Sequence, residues 1–251
     1  TGTFAEIQAA YTANTAGTVS GLGDEAVTAS DTGSVAATTI TNLDAVTSGA
    51  VAAAGVQTLT GTFAEIQAAY TANTAGTISG LGNEAATASD TGSIAATAIT
   101  NLDAVTSGTV TVQGGITALT GTIAEAQAAF DANDAGTVTG LDDSETVTAS
   151  DTGSVSAVAI TNLDAETSGQ VTLNAGITTL TGTIAQAQAA FDANDAGTIT
   201  GLDDSEAVTA SDSGSVVATS ITNLDAETTG VVGVASAVSY THLRAHETID
   251  D

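Results

Sequence analysis

The sequence predicts an α/β repeat fold, a solenoid of short parallel strands and short helices, on three observations. The phrase TGTFAEIQAAYTANTAG at Thr1 returns unchanged at Thr60, then as TGTIAEAQAAFDANDAG at Thr120 and TGTIAQAQAAFDANDAG at Thr181. A second phrase, ITNLDA, begins at Ile40, Ile99, Ile160 and Ile221. The chain has no Pro, Cys, Met or Trp and only 3 Tyr and 4 Phe, yet is 42% hydrophobic. That is too apolar for a disordered tract, while a thin core of Ala, Val, Ile and Leu suits stacked repeats. The copies span about 1–59, 60–119, 120–180 and 181–235, one repeat domain over 1–235, followed by a non-repeat tail at 236–251. Each copy is internally doubled, TGSVA at Thr32 answering TGTFA at Thr60, which gives two β/α half-units per copy. An array of β-sandwich domains is the competing architecture.

The first element of each copy is a helix opened by a T-x-x-E box: Thr3/Glu6, Thr62/Glu65 and Thr122/Glu125, with Thr183/Gln186 keeping the pattern through an amide. In such a box the hydroxyl accepts from the third helical N–H, and the side chain three residues on accepts from the N–H of the cap. Phe63, Ile66 and Tyr70 fall on one stripe, and Gly76 is the stop. The second half-unit predicts a helix capped by Ser34, with Val35, Ile40, Leu43 and Val46 as its stripe and Gly49 as its end. Val46 becomes Glu166 and Glu227 in later copies, which places that position at the surface. TVSG, AVTAS and TVTVQGGITAL alternate β-branched and small residues and read as short strands punctuated by Gly. Strand–helix alternation implies parallel pairing. Stacking whole copies would align Thr18, Thr77, Thr137 and Thr198 in one ladder, and Val27, Ala86, Val147 and Val208 in another.

The formal charge is -28, with 29 acidic residues against one basic one. Nucleic acid and anionic membrane surfaces both require Lys or Arg to neutralise phosphate, so neither is an expected partner. No run of about 18 apolar residues marks a membrane span. Self-repulsion on this scale weakens with salt, which fits a saline, cation-rich medium. Without Cys there is no disulfide, thiol chemistry or Cys-bound zinc. The chain starts inside a repeat, and reads as a piece of something longer.

Four motifs invite chemistry. DTGS at Asp31, Asp90 and Asp151, with DSGS at Asp212, resembles the catalytic loop of pepsin-like aspartic proteases. Those enzymes bring two such loops face to face from large lobes, whereas here the motif recurs every 60 residues or so after TAS; the expected role is local, Asp ending a strand and Ser capping a helix. The acidic turns DANDAG and GLDDSE cluster Asp131, Asp134, Asp142 and Asp143, then Asp192, Asp195, Asp203 and Asp204. These are the candidate Ca²⁺ ligands, since calcium takes six to eight oxygens. No other cofactor is expected. Thr137 with Thr139 and Thr198 with Thr200 form TxT strands like those of ice-binding solenoids, but Ser20 and Ser79 interrupt the pattern. In the tail, His242 and His246 stand at i, i+4, where a zinc hydrolase would need Glu at Leu243.

SYTHLRAHET, Ser239 to Thr248, resembles the conceptual translation of sequencing-library adapter, and the repeat breaks just there. The tail is therefore expected to be artefactual, poorly packed and without a catalytic role. The copies themselves, through TGTxAEIQAAY, GLGDEAVTASDT and ITNLDAxTSG, resemble tandem repeats of very large cell-surface or secreted adhesin-like proteins of marine bacteria. The resemblance implies an extracellular or cell-surface, non-enzymatic spacer or stalk. Its expected partners are neighbouring copies of itself, cell-surface glycans or divalent cations. The alternative is a binding module for Ca²⁺, glycan or ice, using the acidic turns or the Thr-rich strand face.

Overall fold

A computed structural model describes residues 1–234; the predicted tail at 236–251, with His242 and His246, lies outside the described residues. The fold is α/β with parallel strands rather than a set of sandwiches. The first copy holds α1 (Phe4–Thr15), β1 (Val27–Thr28), β2 (Gly33–Ala36), α2 (Ala37–Asp44), β3 (Val51–Ala52) and β4 (Val56–Gly61). The second continues with α3 (Phe63–Ala75), β5 (Ile78–Ser79), β6 (Ala85–Ala88), β7 (Gly92–Ala95), α4 (Ala96–Asp103), β8 (Val110–Val112) and β9 (Ile116–Gly121). The third has α5 (Ile123–Asp134), β10 (Val138–Thr139), β11 (Thr146–Ala149), β12 (Gly153–Ser156), α6 (Ala157–Glu166), β13 (Val171–Thr172) and β14 (Ile177–Gly182). The fourth has α7 (Ile184–Ala196), β15 (Ile199–Thr200), β16 (Ala207–Ala210), α8 (Ala218–Glu227) and β17 (Val232–Val234).

The chain divides into two compact units, Thr1–Val147 and Thr148–Asp251. In the first, β1-β3-β5 form one parallel sheet and β10-β8-β6-β4-β2 another, with β7 paired to β9. Val35, Leu59, Ala86, Val110 and Val138 stand side by side across the larger sheet. Successive helices from α1 to α5 pack on one another. In the second unit β12-β14-β16-β17 form one parallel sheet and β13 pairs with β15, while α6 packs on α7 and α7 on α8.

The predicted ladders are corrected by this register. Val27 lies beside Val51, in a different sheet from Ala86, and Val208 lies between Leu180 and Val232. Ile78, next to Thr77, also lies beside Val51. Lateral neighbours are thus successive half-units, because the chain returns to a sheet after each helix rather than after each 60-residue copy.

The four long helices carry the predicted capping boxes, Gln186 replacing Glu in the last. Phe63, Ile66 and Tyr70 are buried, and Gly76 ends α3 in the left-handed conformation at φ 83°. The second helix departs from the prediction. Ser34 lies in β2, whose pairing with β4 holds the chain extended through Ala36, so the helix starts at Ala37 with no side-chain cap. It ends at Asp44, short of Gly49, and Thr47 beyond it donates its hydroxyl to the Glu25 carbonyl at 2.9 Å. Ile40 and Leu43 bury against the sheets as predicted, and Val46 is exposed. The predicted strand at TVSG does not form in the first copy, where Val19 is 42% exposed, whereas its second-copy counterpart TISG forms β5. Among the described residues no helix is long and apolar enough to cross a membrane.

Candidate functional site

The aspartates of the DTGS motif serve the helix that precedes them. The Phe4 amide donates to Asp31 Oδ2 at 2.6 Å, Phe63 to Asp90 Oδ2 at 2.7 Å, and Ile184 to Asp212 Oδ2 at 2.7 Å. A helix leaves its first four amides unpartnered. At α3 the Thr62 amide goes to Glu65 Oε2 at 2.8 Å, the Glu65 amide to Thr62 Oγ1 at 3.2 Å, and the Phe63 amide to Asp90. Three donors are satisfied by three side chains, one of them arriving from 27 residues downstream. The carboxylate also complements the positive end of the helix dipole. Ser34 was the expected cap in this motif; the Asp caps instead, and caps the other helix. The motif's Gly, at φ 85° for Gly33 and 78° for Gly92, turns the chain into the next strand.

A second recurrent node is a buried glutamate that composition gives no reason to expect. Glu84, Glu145 and Glu206 are each 2% exposed. Glu84 Oε2 accepts from the Gly82 and Asn83 amides at 2.6 and 3.2 Å and from the Tyr70 hydroxyl at 3.4 Å, and its carbonyl accepts from Thr106 Oγ1 at 2.6 Å. Glu25 is bonded alike by the Gly23 amide and the Tyr11 hydroxyl, which hold its carboxyl below the usual range, the backbone bond contributing most. Burial pushes the Tyr70 phenol up to about 12, and the Glu84 charge adds to that. In later copies Phe130 and Phe191 replace the tyrosines. Glu206 then receives the Asp203 amide on Oε1 at 3.1 Å, while its Oε2 is buried without a hydrogen-bond partner. Thr228 Oγ1 still donates to the Glu206 carbonyl at 2.7 Å.

The predicted calcium ligands are spread over separate local roles. Asp131 and Asp192, on exposed helix surfaces, accept from Gln127 and Gln188 Nε2, each at 2.9 Å. Asp142 and Asp203 each accept from the amide of the serine two residues on at 3.1 Å and from its hydroxyl, the hydroxyl bond being the larger cause of their lowered pKa. Asp143 and Asp204 hold the turn at φ 58° and 60°. Asp134 closes α5 and Asp195 lies in the last turn of α7. Among the described residues no group of three or more His, Cys, Asp or Glu side chains converges. The paired asparagines were missed. Asn73 Oδ1 accepts from the Leu81 amide and its Nδ2 donates to the Leu81 carbonyl, both at 3.1 Å, pinning helix end to turn. The same clip recurs at Asn14/Leu22 and Asn194/Leu202.

The TxT threonines are also engaged sideways: Thr139 donates to Thr111 and Thr200 to Thr172, each at 3.4 Å, along strands two residues long. A cleft of ≈ 290 Å³ between α3 and α4 is lined by Phe63, Gln67, Ile94, Ala98 and Asp90. Its one acid, Asp90, is the helix cap described above. No family model, curated protein or solved structure matches the chain.

Proposed function

We propose that this chain is a non-enzymatic structural segment of an extracellular or cell-surface, adhesin-like protein, a repeat solenoid that works as a spacer. One observation carries the reading: the polar groups that recur from copy to copy are used in holding the fold, the DTGS Asp capping a long helix, the helix-end Asn pinning that helix to its turn, and the TSG Thr bonding the carbonyl of the buried Glu in the preceding half-unit. A spacer needs this, and a catalytic centre, which depends on convergent titratable groups in a concave site, does not. The charge of -28 supports a saline exterior setting and self-avoidance between neighbouring stalks. From β4 to the start of its counterpart β9 the chain takes two lateral steps, through β6 and β8. At about 4.8 Å per strand spacing, each copy adds about 10 Å of reach.

The competing reading, a calcium-binding module built on the GLDDSE turns, is separated by titrating calcium while following thermal unfolding. A ligand that binds only the folded state raises the midpoint, by about 2.7 kcal/mol at a hundredfold excess over Kd. The spacer reading predicts the same small rise with calcium as with an equal ionic strength of sodium chloride. A saturable rise specific to calcium, lost in Asp142→Asn/Asp203→Asn, would replace it with the binding module.

A further inference from the structure

Gln67 stands midway along α3, on the groove that α3 makes with α4, and no hydrogen bond holds its side-chain amide. On one side of it lies the cleft of ≈ 290 Å³ over Phe63, Ile94 and Ala98. On the other lies a second cleft, of ≈ 350 Å³, against Tyr70, Thr74 and Val105. Gln67 Oε1 is buried without a partner, a cost that an incoming donor relieves. Gln188 Oε1 is orphaned in the same way, but there the fourth copy ties the amide down. Its Nε2 donates to Asp192 Oδ1 at 2.9 Å and to Glu227 Oε1 at 3.0 Å. The second copy has Thr71 and Val105 in those two places, which leaves the groove apolar and the Gln67 amide free to turn.

The cleft also holds one negative charge, on the half-buried Asp90. A carboxylate accepts at about four positions, and Asp90 Oδ2 gives one of them to the Phe63 amide. Among the described residues no Lys, Arg or His side chain exists to face it. Acceptors without a cation, above an apolar floor, call for a cation that brings its own apolar body. The chain's charge of -28 works in the same direction, concentrating cations and repelling anions.

We propose that this groove is a binding site for a small organic amine, a primary ammonium on a compact apolar body. The ammonium brings three donors. One goes to Gln67 Oε1, which swings to it about the soft last torsion of the side chain, and the others face the Asp90 carboxylate. The apolar body covers Phe63, Ile94 and Ala98. At ≈ 290 Å³ the cleft is at the small end of ligand pockets, which suits a body the size of one aromatic ring. All of these residues lie within the second copy, so the site does not depend on the chain being a spacer.

The test is a calorimetric titration of the whole chain with phenethylammonium, in about 0.15 M sodium chloride to screen unspecific attraction to the acidic surface. Methylammonium carries the charge without the body, and phenethyl alcohol the body without the charge. Saturable binding of phenethylammonium is expected, with each control at least about tenfold weaker. Gln67→Leu removes the acceptor at similar bulk. Its affinity should fall about tenfold, the worth of one hydrogen bond to a charged group, while the unfolding midpoint of the free chain rises because an orphaned acceptor is gone. Ala98→Leu fills the cleft and should abolish binding. A groove of purely structural use predicts the rise in midpoint with no binding to lose. Methylammonium binding as tightly as phenethylammonium, or binding unchanged in both variants, overturns the site and leaves counter-ions on an acidic surface. Absence of saturable phenethylammonium binding overturns it as well; a lysine tripeptide that binds in its stead would make the groove a docking surface for a peptide. Should a variant fail to fold, the two controls on the unaltered chain decide.

Discussion

At the scale of single residues, the most protease-like letters in the sequence belong to a helix cap. Asp90 accepts from the Phe63 amide at 2.7 Å, so removing it orphans a helix-end donor. Asp90→Ala is expected to cost about 1 kcal/mol, the usual value of a lost cap, and Asp90→Asn, which keeps an acceptor oxygen, less; urea unfolding of the two variants measures both. The Tyr-to-Phe exchange between copies supplies a paired experiment. Tyr70→Phe removes a donor from buried Glu84, and Phe191→Tyr offers one to the unpartnered Glu206 Oε2. The first should lower stability and the second raise it, each by about 1 kcal/mol, the net worth of one hydrogen bond. Alkali adds a signature. The Tyr70 phenol is raised from 10.0 to about 12 in the fold, so the stability linked to it is complete below 10.0 and is lost as pH climbs through about 12. Tyr70→Phe should flatten the alkaline limb of the stability–pH curve over that window. The capping boxes were legible because their partners stand three residues apart. The Asp cap was not, since Asp90 acts on a residue 27 positions earlier, and a Glu among small residues reads as solvated until the fold covers it.

At the scale of elements, periodicity located the long helices: Phe63, Ile66 and Tyr70 bury as one stripe. It failed at the short ones because tertiary pairing overrode it. Val35 does reach the core, but from a strand, since pairing with Leu59 holds Ser34 and Ala36 extended. Strand identity was legible in AVTAS but not in the TVSG of the first copy, which forms no strand, and lateral neighbours were not legible at all. Sequence likeness aligns Val27 with Ala86, whereas hydrogen bonding aligns Leu59 with Ala86. The glycines after β5, β10 and β15 mark these contacts. Gly140 has φ 104° and meets the Val112 carbonyl of the adjacent strand. Gly140→Ala therefore combines an unfavourable φ with a backbone overlap, and should cost at least about 2 kcal/mol. Thermal unfolding beside Gly21→Ala, which shares the positive φ but has open space, isolates the packing part.

At the scale of the whole molecule, composition and architecture agree. A chain with 3 Tyr, 4 Phe and no Trp or Met cannot fill a deep core, and its largest fully buried side chains are single Phe, Ile and Leu residues repeated along the chain. Under the proposed stacked-repeat reading, such a core would grow with copy number at nearly constant thickness, as a reach-setting segment requires. The central claim, that copies stack continuously, is tested most directly by small-angle X-ray scattering from chains carrying different numbers of whole copies. The account predicts a maximum dimension that rises by about 10 Å per added copy, two strand spacings. Increments of roughly 27 Å or more, the diameter of an independent domain of about this length, would contradict it and turn the stack into beads.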